Sequence, residues 1–407
     1  ATVDATGLVT AHKKGRTYIY ATPADYAGMY AGCTVTVGDD VTGIALNATQ
    51  LAMMAGDTKK LTATVTPSDA ISGVNWSSSD VTVVTVDKGA LKAVGAGQAT
   101  VTARPVDNSS LSATCNVTVF ESGKISTVDG IDYQITGVEG NSGTAVVKTV
   151  PESMLNSGRS VLIPASLELS GLSFEVASVS SDAIGTVSNN TLVFIPKGVG
   201  YEGHADNVAV GETDGNYVCE RLVITDGSDY STMYRFTAKT LVYKRTLEAG
   251  DKPYAVCLPY STASTEDLRF YHFDHAEGAK LVFYEVDGAT EPYMPYLVVA
   301  RQTVSDLGGT NVVMPTYGSN TDCYDGDFGL IGTMKHIDAA VAAGNHANNL
   351  VDGAWVAVTA GGSGIAAMRS WLWTPQGQTV EMSLEPVPEL EDPIDYDEFT
   401  DDGHATG

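Results

Sequence analysis

The sequence is short of basic residues, short of cysteine and free of long apolar runs, and each shortage removes a class of function. Lys and Arg number 23 against 49 Asp and Glu, a formal charge of −26 over 407 residues. A field of that sign repels phosphate backbones and anionic lipid surfaces, so no nucleic acid partner is expected. The five cysteines, Cys33, Cys115, Cys219, Cys257 and Cys323, contain no C-x-x-C pair. Neither a zinc site nor a redox motif is signalled. No apolar stretch approaches the roughly 20 residues that span a bilayer, so no membrane insertion by this segment is expected, and the chain opens without a charged, then apolar, leader. Helix-favouring charged runs are nearly absent as well. What is abundant is Thr, Ser, Val and glycine, an all-β composition with room for three or four domains.

Residues 41–119 organise the rest. Ala11, Gly15, Ala21, Pro23, Asp25 and Cys33 fall on Ala93, Gly97, Ala103, Pro105, Asp107 and Cys115 without a gap. Both copies close on one strand pattern, Cys33-Thr34-Val35-Thr36-Val37 and Cys115-Asn116-Val117-Thr118-Val119. Residues 1–37 therefore read as the C-terminal half of a module, and 38–120 as a complete one. Such a half-module is expected to be partly disordered or to borrow an edge from a neighbour. Because Cys33 and Cys115 hold equivalent positions, each is expected to fill a core slot of its own module rather than pair with the other. Tandem copies with no shared chemistry point to a spacer or stalk, and further copies are expected upstream.

The complete module alternates with period two. Leu61, Ala63 and Val65 alternate with Thr62 and Thr64; Ala99, Val101 and Ala103 face one way; Cys115, Val117 and Val119 close the pattern. Gly56-Asp57, Asp87-Lys88-Gly89 and Gly95-Ala96-Gly97 supply turns at sandwich spacing, and Trp76 is expected as the core anchor.

These blocks carry a family likeness. Val41-Thr42-Gly43-Ile44-Ala45-Leu46, Leu61-Thr62-Ala63-Thr64-Val65-Thr66-Pro67, Val74-Asn75-Trp76-Ser77-Ser78-Ser79-Asp80, Gly97-Gln98-Ala99-Thr100-Val101-Thr102-Ala103 and Val117-Thr118-Val119 together resemble a bacterial Ig-like domain of group 2. The resemblance implies an immunoglobulin-type sandwich, found in intimin- and invasin-like adhesins, and it carries no catalytic residues to transfer. From 121 to 196, Val161-Leu162-Ile163-Pro164 recurs as Leu192-Val193-Phe194-Ile195-Pro196, which looks like a degenerate BspA-type leucine-rich repeat of Bacteroidetes surface proteins. Residues 197–384 are strand-rich, and Tyr243-Lys244-Arg245-Thr246-Leu247, Cys257-Leu258-Pro259-Tyr260 and Met368-Arg369-Ser370-Trp371-Leu372 resemble a C-terminal β domain recurrent in such proteins. A short alanine-rich helix is expected over 337–343. Residues 385–407, with nine acidic residues and no basic one from Glu385 to Asp402, read as a linker. In that lineage such a tail often leads into a type IX secretion signal. The expected architecture is all-β: tandem Ig-like sandwiches, a small β-rich segment and a larger C-terminal β domain.

Candidate chemistry is sparse, and no catalytic residue is expected. Asn320, Asp322, Asp325 and Asp327 gather oxygen ligands in one loop, as a calcium ion would require, against the alternative of a solvent-exposed turn. Calcium is the one possible cofactor. His272-Phe273-Asp274-His275 places a carboxylate between two imidazoles; on a regular strand His272 and Asp274 would face one side and His275 the other. In Gly361-Gly362-Ser363-Gly364 the residue Ile365 stands where a nucleophile elbow needs glycine, so a hairpin turn between Val358 and Met368 is expected instead. Trp355, Trp371, Trp373, Tyr293 and Tyr296 offer an aromatic platform for sugar rings, against the alternative of core packing. The composite expectation is a non-catalytic adhesion or binding protein, extracellular or on an outer-membrane surface, whose partner is a host or bacterial surface protein or glycan. A carbohydrate-binding protein and a glycan-degrading hydrolase are the alternatives.

Overall fold

A computed structural model describes residues 1–388 apart from 27, 141, 318–321 and 376–377. The chain divides into two compact units: residues 1–148 with 165–179, and residues 149–164 with those from 180 on. The architecture is all-β, with two short helices, Glu152–Leu155 and Ala339–Gly344, among the described residues.

In the first unit the complete module forms as the alternation requires. A four-stranded sheet runs in the order Gln50–Met54, Ala113–Phe120, Gly97–Pro105, Val74–Ser78, and a three-stranded one in the order Val84–Asp87, Ala90–Ala93, Thr58–Lys60. Their inner faces meet in a core of Met53, Leu61, Val84, Leu91, Val101, Cys115 and Val117, with Trp76 half-buried against it from the edge strand. Lys88 and Gly89, both at positive φ, make the two-residue turn that sets Asp87 opposite Ala90. Such a turn matches the twist of the flanking strands. A Cβ on Gly89 would lie 2.3 Å from the Leu61 carbonyl oxygen, so only glycine fits.

The half-module keeps its register. Gly15–Ala21 pairs with Ala31–Val37 so that Ile19 opposes Cys33 and Gly15 opposes Val37. In the complete copy Val101 opposes Cys115 and Gly97 opposes Val119. The surroundings differ. Cys115 is wholly buried, whereas Cys33 is exposed, so the expected core slot for Cys33 is corrected: no second sheet covers it among the described residues. The same lack of cover leaves Tyr18, Tyr20 and Tyr30 more than half exposed. The hairpin is regular across both strands.

The next sheet runs Ile125–Val128, Ile131–Glu139, Ser142–Thr149, Leu172–Val179, Ser166–Leu169, with the third and fourth strands parallel. Segment 121–196 thus supplies strands to both units. In the second unit Ser160–Leu162 lies parallel to Leu192–Ile195, Leu162 opposite Phe194, which brings the two Ile-Pro segments side by side. Val208–Gly211, Tyr217–Ile224, Phe236–Tyr243 and Gly309–Met314 complete that sheet.

Two five-stranded sheets follow. The first is Tyr254–Cys257, Pro295–Ala300, Leu268–Glu277, Lys280–Glu285, Glu381–Glu385; the second is Cys323–Asp325, Phe328–Thr333, Arg369–Trp373, Ala347–Val351, Ala354–Ala357. The first sheet extends through Glu385, one residue into the stretch expected as a linker, and the rest of that acidic stretch from 389 lies outside the described residues. The hairpin expected between Val358 and Met368 is corrected by the second sheet. Strand Ala347–Val351 lies between Ala354–Ala357 and Arg369–Trp373, so the Gly361–Gly364 loop crosses over a strand instead of joining neighbours. Gly364 sits at φ +72° with the Ile337 carbonyl oxygen 2.2 Å from any added Cβ.

Candidate functional site

The five aromatics proposed for sugar binding lie against three different apolar clusters of the second unit. Tyr293 and Tyr296 are buried in the largest one, beside Cys257, Leu258 and Val298. Tyr293 donates to the Pro315 carbonyl, while Tyr296 accepts from the Glu291 amide at 2.9 Å. Burial pushes both phenols up. Trp371 is buried with Ala342, Ala347 and Ile365, and Trp373 packs half-buried against the same group, so these two share a face. Trp355 packs half-buried against the cluster around Leu330 and Leu372. It also lines a groove of about 330 Å³ with His346, Asn348, Thr374, Gln378 and Thr379. Its indole Nε1–H is closed off from solvent and has no acceptor in hydrogen-bonding geometry among the described residues.

Two carboxylates of the acidic loop take hydrogen bonds from nearby groups. The Asp325 carboxylate accepts from the Ala276 amide at 2.7 Å, and that of Asp322 accepts from the Tyr324 hydroxyl at 3.4 Å. Asn320 lies outside the described residues. Among the described residues no three His, Cys, Asp or Glu side chains gather as metal ligands. In the His-rich strand a bulge between Phe273 and His275 breaks the expected alternation. It brings Nδ1 of His275 to 2.8 Å from the Asp274 carboxylate, which raises the imidazole above its ordinary value.

One constellation escaped the sequence reading. Arg369, from strand Arg369–Trp373, holds the Asp226 carboxylate in a fork of two bonds, 2.9 and 2.8 Å. Tyr243 donates to the same carboxylate at 2.6 Å. Burial opposes ionisation of Asp226, but these bonds outweigh it and hold the acid below its usual range. Burial pushes the Tyr243 phenol up to about 12. Beside them Arg245 donates through Nη2 to the Ala255 carbonyl at 3.1 Å. Its Nη1 is shut off from solvent with no acceptor in hydrogen-bonding geometry among the described residues. Burial, then the charge of Arg369, lowers its proton affinity. Both arginines line a cavity of about 270 Å³ with Tyr254, Asn349, Ser363 and Ser370. The available signal was an arginine set in an apolar strand, Met368-Arg369-Ser370-Trp371, in a chain with few basic residues. Its partner Asp226 is too distant in sequence to be inferred.

An uncharacterized protein of Clostridium acetobutylicum is 41% identical over 121 residues, 29% of this chain and 12% of that protein. The lacto-N-biosidase of Bifidobacterium bifidum is 48% identical over 85 residues, 21% of this chain and 7% of that enzyme. The aligned part is therefore a small fraction of each relative's length. Among solved structures, the S-layer protein rSbsC aligns with 33% of this chain and 20% of its own at 19% identity, with a TM-score of 0.19, too low to bear on role. Residues 40–117 match the bacterial Ig-like domain (group 2), the family that their alternation and turns resemble.

Proposed function

We propose that this is a non-catalytic protein of a bacterial cell surface or its secreted fraction, in which Ig-like modules space out and display the C-terminal β region to a surface protein or glycan. The observation that carries the reading is the repeated module. Its interior is filled by aliphatic side chains and a thiol pushed up by burial to about 11, and its two copies keep one strand register. A fold whose buried residues all serve packing acts through reach and stiffness. The side-by-side Ile-Pro strands support reading 161–196 as leucine-rich-repeat-like turns of a Bacteroidetes-type surface protein. The test is the full chain on a glycan array and on intact bacterial and epithelial cells, with a parallel assay for polysaccharide hydrolysis. Saturable binding without turnover is expected; turnover of a polysaccharide would overturn the reading.

One observation favours a carbohydrate partner specifically. The Trp355 groove combines an indole with hydroxyl and amide side chains, the mixture that recognises a sugar ring. Array hits lost in Trp355→Ala, while Trp371→Phe keeps them, would support this reading. Hits unchanged in Trp355→Ala would dismiss it.

A further inference from the structure

The two copies of the module agree on one face and differ on the other. Alternation along Gly15–Ala21 and Ala31–Val37 puts Ile19, Cys33 and Val35 on the side that Val101, Cys115 and Val117 occupy in the complete copy, where they fill its core. The opposite side has changed character. Arg16, Tyr18 and Tyr20 stand where the complete copy carries Gln98, Thr100 and Thr102. The module folds with neutral, non-aromatic side chains at these positions, so its packing does not call for rings there.

The replaced residues form an exposed aromatic row. The rings of Tyr18 and Tyr20 lie 6.3 Å apart between centroids and within 18° of parallel. Tyr30 meets Tyr20 edge-on at 5.3 Å, and the Arg16 guanidinium lies over the Tyr18 ring, 5.7 Å from its centroid. All three tyrosines are more than half exposed. Tyr20 covers its cross-strand neighbour Gly32, where an added Cβ would stand 3.3 Å from the ring, but Tyr18 has a threonine opposite it and no such gap to fill. Thr34 and Thr36, directly across from Tyr18 and Arg16, add exposed hydroxyls to the same face.

We propose that this face binds a neutral polysaccharide, its sugar rings stacked on Tyr18 and Tyr20. An aromatic ring takes the apolar face of a pyranose, and threonine hydroxyls, which both donate and accept, match the hydroxyls around the sugar. A proline-rich segment also docks on aromatic rings, but it offers mainly carbonyl acceptors to such hydroxyls. Charge selects against polyanions. Residues 1–37 carry three basic and two acidic residues, a net +1, in a chain of −26 whose field repels nucleic acids and polyuronates alike. A neutral sugar chain meets no such barrier, and two rings in a row suit successive residues of a chain better than a lone monosaccharide. The repeated part thereby gains a ligand face of its own besides its spacing role. It is independent of the Trp355 groove, and each stands if the other fails.

The test is electrophoresis of the full chain through affinity gels containing amylose, mixed-linkage glucan, galactomannan or arabinoxylan. Polygalacturonate, single-stranded DNA and poly-L-proline represent the rival classes. Retardation by at least one neutral polysaccharide is expected, and none by the rivals. Tyr18→Thr, which installs the residue of the complete copy, is expected to weaken binding about 10-fold, as loss of a central interface tyrosine does. Tyr18→Phe keeps the ring and should keep the binding. Trp355→Ala should leave the Tyr18-dependent retardation in place. Should Tyr18→Thr fail to fold, Arg16→Gln, again the residue of the complete copy, supplies the second readout: weaker binding at an unchanged melting temperature. No retardation by any neutral polysaccharide, retardation by a rival as strong as by any of them, or binding lost in Tyr18→Phe would each overturn the proposal. So would binding unchanged in folded Tyr18→Thr.

Discussion

Valine 117 and valine 35 occupy equivalent places in two copies of one module, and the account requires that truncating them have very different costs. Val117 is wholly buried in the core cluster that includes Met53, Leu61, Val84 and Leu91, and is held between Ala99 and Leu51 on neighbouring strands. Val117→Ala removes two buried methyl groups at about 0.8 kcal/mol each and leaves a cavity, for a total of about 2–3 kcal/mol. For a module of this size that corresponds to roughly 10–20 °C in the melting temperature of its own transition. Val35 opposes Thr17 in the uncovered hairpin and is half-buried, so Val35→Ala should cost under about 0.5 kcal/mol. Scanning calorimetry of the full chain reads both. Equal shifts in the two variants, or a shift below about 3 °C for Val117→Ala, would refute the reasoning.

Cys33 is exposed and Cys115 buried, so iodoacetamide at pH 8 should label the first rapidly and leave the second unmodified in the native chain; with its thiol near 11, about 0.1% of Cys115 is thiolate at that pH. Gly89→Ala should destabilise the module by at least about 2 kcal/mol, read by denaturant unfolding, because the added carbon meets a backbone oxygen at positive φ. Asp226 is held below its ordinary value by Arg369 and Tyr243, so its contribution is present above the unfolded value of about 3.9 and is lost as pH falls through the lower folded one. Acid unfolding of Arg369→Met should therefore begin at higher pH than in the wild type. The raised His275 works in the opposite sense: its contribution is present below about 6.5 and disappears as pH rises through the folded value. Asp274→Asn should lower the imidazole's titration toward its ordinary value by NMR, with Glu277 still raising it.

The sandwich was legible because half-buried strands advertise their inner face. Ala99, Val101 and Ala103 alternate with Gln98, Thr100 and Thr102, and turn residues mark where each strand ends. Periodicity gives the face of a strand and not its neighbour. That is why the placement of Ala347–Val351 between two strands of the last sheet was missed, and why the Gly361–Gly364 loop read as a hairpin. Trp76, expected as the core anchor, does pack against the core, half-buried and from an edge strand. Aromatics in the second unit read equally well as platform or core, since composition does not say which face is covered. The structure buries Tyr293, Tyr296 and Trp371 and leaves Trp355 beside a groove. The arginine cavity was illegible because its charges come from three remote strands or loops, and only tertiary folding brings them together.

Hydrogen exchange on the full chain, read strand by strand, tests most directly the idea that 41–119 is a self-sufficient scaffold and that 1–37 repeats it without cover. Amides of Gly97–Pro105 and Ala113–Phe120 should stay protected until the module unfolds globally, while those of Gly15–Ala21 and Ala31–Val37 exchange orders of magnitude faster. Equal protection of the two hairpins, or rapid exchange across 97–120, would contradict the account.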